Sequence, residues 1–220
     1  MILTLIGCLL ACVGALRAAW SPCGLSMLSS LTPAGERSRG FSWRVTASAY
    51  ATGAIGAATL TGAALGALGS LLPSATGWRT AALLATIVVA LTIDATPLRR
   101  RMPLARGQVN EDWMARYRGW VYGFGYGARL GIGFTTLVAC AAVYATFVSQ
   151  VLAGSVWAGA LIGFVFGAVK ALSLLPARAG RDHASLAALH RTLARLDSPV
   201  ARTVVAGELL ACLVVVGALA

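Results

Sequence analysis

The stretch that decides the fold is the N-terminal run MILTLIGCLLACVGALRAAWSPCGLSMLSS (residues 1–30), in which Arg17 is the only charged side chain. About 20 mainly apolar residues are enough to cross a bilayer as a helix. Five further apolar runs follow along the chain, at about 44–72, 79–97, 119–149, 154–176 and 200–220. We therefore predict an all-α membrane protein with six transmembrane helices.

The composition of the whole chain supports this prediction. Hydrophobic residues make up 58% of the 220 residues, charged residues make up 11%, and the mean hydropathy is +0.79. A soluble domain has roughly a quarter charged residues. Six spans would use more than half of the chain and leave short loops, so we predict a single polytopic membrane domain over residues 1–220.

The basic residues predict the orientation. The net charge is +11, and the eighteen lysines and arginines lie almost entirely between the apolar runs. The loops after the first, third and fifth runs are basic, which places them in the cytoplasm and both termini outside. Because these charges mark loops and not a binding face, we expect membrane lipid and no nucleic acid as a partner, in the inner (plasma) membrane.

Two similar segment ends indicate an internal repeat. The second run ends Ser70-Leu71-Leu72-Pro73 and the fifth ends Ser173-Leu174-Leu175-Pro176. The chain then divides into repeat one (about 1–98), a basic cytoplasmic loop (99–118) and repeat two (about 119–220). Three helices per half give opposite directions through the membrane, and such inverted repeats place a working site near the midplane, often at broken helices.

Small residues in the second and fifth runs predict close helix packing. Glycine at spacings of three or four lets helix backbones approach each other in a membrane. The glycines concerned are Gly53, Gly56, Gly62, Gly66, Gly69, Gly159, Gly163 and Gly167.

Cys23 is the main candidate for chemistry. Pro22 removes a helix hydrogen bond and is expected to kink the first helix, and Gly24 is expected to add local freedom. A thiol at a kink gains access to freed backbone groups and to a partner sulfur. The alternative is a structural kink beside a buried, inert cysteine.

A family resemblance supports the reactive alternative. The segment Ser21-Pro22-Cys23-Gly24-Leu25, followed by Met27-Leu28 and Pro33, resembles the first helix of the CcdA family, which includes the membrane domain of DsbD. The resemblance implies six spans in two inverted repeats. It also implies transfer of reducing equivalents from a cytoplasmic thioredoxin-like donor to an extracytoplasmic thiol acceptor. The sequence contains no phosphate loop or dinucleotide fingerprint, and we predict no cofactor.

The fourth run departs from that family. Its members carry a second cysteine there in an aromatic-Thr-Pro-Cys motif, whereas this chain has Gly133-Phe134-Thr135-Thr136-Leu137. Cys140 lies three residues further on, about one helical turn away. It can substitute only if the helix shifts or unwinds locally. The predicted reactive pair is therefore Cys23 with Cys140.

Two further groups of residues carry weaker hypotheses. Cys8 and Cys12 are four apart and share a helix face, where they could bind a soft metal such as copper(I) or simply fill space. Arg17, Arg129 and Glu208 are intramembrane charges, and we expect Glu208 to contact one of the two arginines.

Other polar segments are expected to face the membrane surface. Lys170 and Asp94 lie towards the predicted cytoplasmic ends of their spans, where snorkelling is the expected explanation. Residues 181–197 are predicted to form an amphipathic helix at the membrane surface or against a partner, with Ser198-Pro199 at the start of span six.

Two functions remain open from the sequence. The leading one is a CcdA-like thiol-redox protein that relays reducing equivalents out of the cytoplasm. The alternative is a redox-inactive six-helix transporter, or an accessory subunit of a larger membrane complex, on the same scaffold.

Overall fold

The computed structural model describes residues 1–98, 112–134, 138 and 140–219, and every regular element in these ranges is a helix. Short 3₁₀ helices lie at Ala18–Trp20 and Leu175–Ala179. The α-helices are α1 Ile2–Arg17, α2 Pro22–Ser30, α3 Pro33–Ser38, α4 Trp43–Ser70, α5 Thr76–Ala95, α6 Trp113–Arg116, α7 Gly119–Ile132, α8 Ala141–Leu152, α9 Val156–Leu172 and α10 His183–Leu219.

Several of these helices are long and apolar enough to cross a membrane. The described residues contain five such stretches, at Ile2–Trp20, Trp43–Ser70, Gly77–Ala95, Val156–Ala179 and His183–Ala218. The prediction of an all-helical, multi-pass membrane protein is confirmed at this level.

The fourth predicted span, 119–149, is not one helix. In its place the chain forms α7, with 14 residues, and α8, with 12 residues. At 1.5 Å per residue each is about 20 Å long, short of the roughly 30 Å hydrocarbon core. Gly133 ends α7 with a φ of 81°, and Cys140 has extended backbone immediately before α8. The prediction of a continuous fourth helix was wrong because it read hydropathy and not backbone conformation.

Helix α4 packs along both α7 and α9. A Cβ added at Gly62 would meet the carbonyl oxygen of Gly159, and one added at Gly66 would meet that of Ser155. The helix backbones are therefore in direct contact, as the glycine spacing predicted. Gly56 is the exception, since open space surrounds its Cβ position.

The first span is broken at Ser21 and not merely kinked. Ser21 has extended backbone, and its hydroxyl donates to the Ala18 carbonyl (2.7 Å) and accepts from the Gly24 amide (3.1 Å). Pro22 is the first residue of α2, a position where a missing N–H costs nothing. The expected kink is thus a helix end followed by a new helix start, capped by serine.

Gly24 has a different role from the one expected of it. An added Cβ would lie 2.7 Å from the Ala18 carbonyl oxygen and 2.8 Å from the Ala19 carbonyl carbon. Glycine is therefore required for close approach of α2 to the preceding turn, and not for local freedom.

Helix α10 joins two elements that were predicted to be separate. It runs for 37 residues with Pro199 inside it, so the prediction of a surface helix at 181–197 followed by a new span was wrong. The Trp20 indole donates to the Leu193 carbonyl (2.8 Å), and Leu193 is buried against the first break. These contacts attach the N-terminal half of α10 to the first break.

Candidate functional site at two helix breaks

Cys23 lies at the first break, as the second residue of α2. Its side chain is 1% exposed and is a free thiol. It packs in an apolar cluster with Met27, Tyr50 and Tyr126. The sequence predicted a kink within one helix at this cysteine, whereas the structure places it at the start of a new helix.

Cys140 lies at the second break, as the residue that precedes α8. It is a free thiol with 1% exposure, packed in a different apolar cluster that includes Ala15 and Phe166. Its extended backbone is the local departure from helix that a role for Cys140 requires. Each candidate thiol therefore lies at the start of a helix.

Lys170 is a buried cation that interacts electrostatically with both thiols. Its ammonium lies within electrostatic range of both Cys23 and Cys140 and 5.7 Å from the ring centroid of Phe166. The lysine is 4% exposed, so the expectation that it snorkels to the membrane surface was wrong. It is buried because α9 is covered by α4 and α1 at this point.

Asp94 holds the second break from another helix. Its two carboxylate oxygens accept hydrogen bonds from the amides of Ala141 (2.9 Å) and Ala142 (3.1 Å). The first amides of a helix have no partner within it, and a carboxylate there also complements the helix dipole. Asp94 is buried, so its expected snorkelling was wrong as well.

Glu208 does not form the expected ion pair. Arg17 pairs with Asp197 at 2.6 Å, and Arg129 lies half-buried in the last turn of α7. Glu208 is fully buried, and neither of its oxygens has a hydrogen-bond partner among the described residues. The group beside it is the Asp94 carboxyl.

Sequence reasoning missed a third buried carboxylate, Glu36. It is 0% exposed and accepts hydrogen bonds from the Arg39 guanidinium (2.7 Å), the Thr46 hydroxyl (2.5 Å) and the Tyr122 hydroxyl. It stands in a polar turn between the first two apolar runs, where the sequence indicates no site. The sequence carries no local signal for Tyr122, which comes from a helix 86 residues away.

The remaining cysteines are half-buried, and Cys8 packs against the apolar cluster that contains Cys140. Cys8 and Cys12 are half-buried neighbours on α1, and Cys212 packs against the cluster that contains Leu10 and Leu83. Within the described part of the chain, no three His, Cys, Asp or Glu side chains group together as a metal site. A copper(I) role for Cys8 and Cys12 stays a prediction.

With this geometry established, comparison with known proteins identifies the family. The family described as the cytochrome c biogenesis protein transmembrane region matches residues 1–196. The chain belongs to this family. The resemblance to CcdA and the membrane domain of DsbD is thereby confirmed at the family level. The prediction of a multi-pass membrane protein agrees with this family.

The chain is also similar to proteins named methylamine utilization protein MauF. The methylamine utilization protein MauF of Methylophilus methylotrophus is 35% identical over 206 residues, which cover 90% of this chain and 72% of that protein. MauF of Paracoccus versutus is 33% identical over 177 residues, covering 76% of this chain and 64% of that protein. No solved structure matches the chain.

Proposed function

We propose that this member of the cytochrome c biogenesis family is a membrane thiol-redox protein. It would carry reducing equivalents from a cytoplasmic thioredoxin-like dithiol to an extracytoplasmic thiol protein, through Cys23 and Cys140. The observation that carries the proposal is that both thiols start helices at breaks and lie within electrostatic range of the same buried ammonium, Lys170.

The relay is a balanced thiol–disulfide exchange. A thiolate of the donor attacks one sulfur of a Cys23–Cys140 disulfide, that S–S bond breaks, and a mixed disulfide forms. The donor's second thiol releases the pair, so two electrons and two protons pass to this chain while the donor is oxidised. The reduced pair then reduces an acceptor disulfide by the same steps. Lys170 supplies the positive charge that favours a transient thiolate at either sulfur.

The proposed architecture follows from the same two breaks. We place α7 and α8 together as a broken fourth span, giving six spans in two inverted halves, 1–98 and 119–220. The basic loops face the cytoplasm and both termini lie outside the inner membrane. Broken helices near the midplane are common in inverted-repeat membrane proteins, which supports this arrangement.

Thiol labelling tests the proposal. In a background with Cys8, Cys12 and Cys212 changed to serine, mild oxidation should protect both remaining thiols from a maleimide mass tag added after denaturation. Reduction should restore two tags. Cys23→Ser and Cys140→Ser should each leave one thiol that no longer becomes protected within the monomer. Two free thiols under both conditions would end the relay proposal.

A second candidate function has its own observation. The relatives carry the name methylamine utilization protein, and Cys23 and Cys140 belong to separate apolar clusters. On this alternative the chain is a redox-inactive transporter or an accessory subunit of a larger membrane complex needed for growth on methylamine. Cys23→Ser would then support growth as well as the native chain, and the protein would copurify stoichiometrically with a membrane complex. Growth lost in Cys23→Ser favours the relay.

A further inference from the structure

The surroundings of Glu208 and Asp94 indicate that these two carboxyl groups share one bound proton. Glu208 is 0% exposed and its two oxygens accept no hydrogen bond from any described residue. The Asp94 carboxyl is its charged neighbour, where α10 packs against α5. Two ionised carboxylates in contact repel, and burying an ionised group without a donor is costly. A proton bound between the two groups removes both penalties.

The geometry indicates which carboxyl carries that proton. Both Asp94 oxygens already accept hydrogen bonds from amides at the N-terminus of α8, at 2.9 and 3.1 Å. Amide donors and the helix dipole stabilise the negative charge on Asp94. Glu208 has no comparable donor among the described residues, so it takes the proton and donates it to Asp94.

The groups around the pair favour a bound proton over a bound metal ion. Helix α10 packs against α1, α5 and the 3₁₀ helix Leu175–Ala179. From α1, Arg17 is held by Asp197; from α5 comes Asp94 itself. Arg178 on the 3₁₀ helix is exposed. Within the described residues no third carboxylate, His or Cys completes a metal site here.

The Cys140 thiol is a neighbour of this carboxyl pair. Both carboxyls and Arg17 lie within electrostatic range of its sulfur, and the Asp94 carboxylate binds the two residues that follow it in the chain. The carboxyl pair is therefore attached to the second break through the hydrogen bonds of Asp94. A proton released at the pair has the Cys140 sulfur as a neighbouring acceptor.

We propose that Asp94 and Glu208 form a proton-binding carboxyl pair that exchanges its proton with the Cys140 sulfur. The exchange, but not the pair itself, rests on the proposed relay. When Cys140 is released from a disulfide as a thiolate, the Glu208 O–H bond breaks and an S–H bond forms. Glu208 is left as a carboxylate. When Cys140 next attacks an acceptor disulfide, the proton returns to Glu208. No electrons move in this step.

Infrared spectroscopy of the purified full chain in detergent tests the pair without any redox reaction. The native chain should show the C=O stretch of a protonated carboxyl, shifted in D₂O. Glu208→Gln keeps the shape and a donor towards Asp94 and should lose the band. Glu36→Gln is the matched control, because its carboxylate is satisfied by three donors, and it should keep the band.

The outcomes of that measurement are decisive for the pair. Absence of the band in the native chain, or its survival in Glu208→Gln, would overturn the proposal. If Glu208→Gln fails to fold, as judged by helical circular dichroism, Asp94→Asn provides the second test. It should keep the band at a shifted frequency, because Glu208 then donates to an amide oxygen, and an unshifted band would overturn the contact.

The exchange with Cys140 is tested through kinetics. Reduction of the Cys23–Cys140 disulfide by dithiothreitol should slow by about 10²-fold in Glu208→Gln, the size expected for loss of an acid–base group. Glu36→Gln should leave the rate unchanged. An unchanged rate in Glu208→Gln would overturn the exchange. If the native chain forms no such disulfide, the relay fails, and the infrared result still decides the carboxyl pair.

Discussion

The two helix breaks are built in different ways. At the first, Ser21 caps the amide of Gly24, three residues along the chain. At the second, the cap of α8 is Asp94, which lies 47 residues earlier on a different helix. The cap of the first break therefore depends on its own residues, whereas the cap of the second forms only when α5 and α8 are docked. A helix cap supplied by a neighbouring residue does not depend on how the helices pack. A cap supplied by another helix, as Asp94 is, links the break to the packing of the bundle.

The largest expected effect on stability is at Asp94, the cap that α5 supplies to α8. Asp94→Ala removes two hydrogen bonds from a buried carboxylate and should lower the free energy of unfolding by about 3 kcal/mol or more. Titration with sodium dodecyl sulfate from mixed micelles, followed by circular dichroism, measures it. Asp182→Ala is the matched control, because Asp182 accepts from the Ser185 amide at the exposed start of α10. Equal losses in both variants would contradict the difference between the two breaks.

Gly24→Ala should have the next largest effect. The new methyl group would press on the carbonyls of Ala18 and Ala19, and such overpacking costs about 1–3 kcal/mol. The same unfolding titration measures it. Gly56→Ala, where no atom lies within 4 Å of the new Cβ, should change stability little or increase it. A Gly24→Ala protein as stable as Gly56→Ala would show that the first break has room to relax.

Ser21→Ala should cost about 1 kcal/mol, the usual value of a helix N-cap. The loss also leaves the Gly24 amide without its partner at 3.1 Å. Ser48→Ala, an exposed serine within α4, serves as the control and should be close to neutral. If the two serine variants unfold at the same detergent fraction, the cap is not what holds the first break.

Pro22→Ala should have the smallest effect, about 0.5 kcal/mol, because proline at a compatible position acts mainly through the unfolded chain. Ser21 and Gly24 should keep the break in place. Tryptophan fluorescence checks this, since Trp20 donates to the Leu193 carbonyl only while the break persists. A large spectral change in Pro22→Ala would mean that proline itself creates the break.

The sequence predicts features that depend on neighbours along the chain. Ser21-Pro22 indicates an interruption because both residues favour helix starts. The glycines of α4 and α9 indicate backbone contact because their spacing follows the helix period. By contrast, hydropathy treats 119–149 as one span, because nothing near Cys140 reveals a cap supplied from α5. The same limit explains why 181–219 was divided at Pro199, where contacts of Leu193 with the first break outweigh the proline.

The buried charges show where prediction from sequence ends. Lys170 and Asp94 were expected at the membrane surface because they lie near the ends of apolar runs. Glu36 was passed over because it stands in a polar turn. Each is buried by residues far away in sequence, such as Tyr122 for Glu36. Finding these partners requires the packing of the bundle, which periodicity and composition do not contain.

Helix α10 has a mechanical consequence for the site. Its 37 residues span about 55 Å, while the hydrocarbon core is roughly 30 Å thick. In a helix of this length, a tilt of about 5° about one end moves a point 25 Å along its axis by roughly 2 Å. Trp20 and Ser29 attach the N-terminal half of α10 to either side of the first break, through Leu193 and His190. Any tilt of α10 would therefore be transmitted to the segment that carries Cys23.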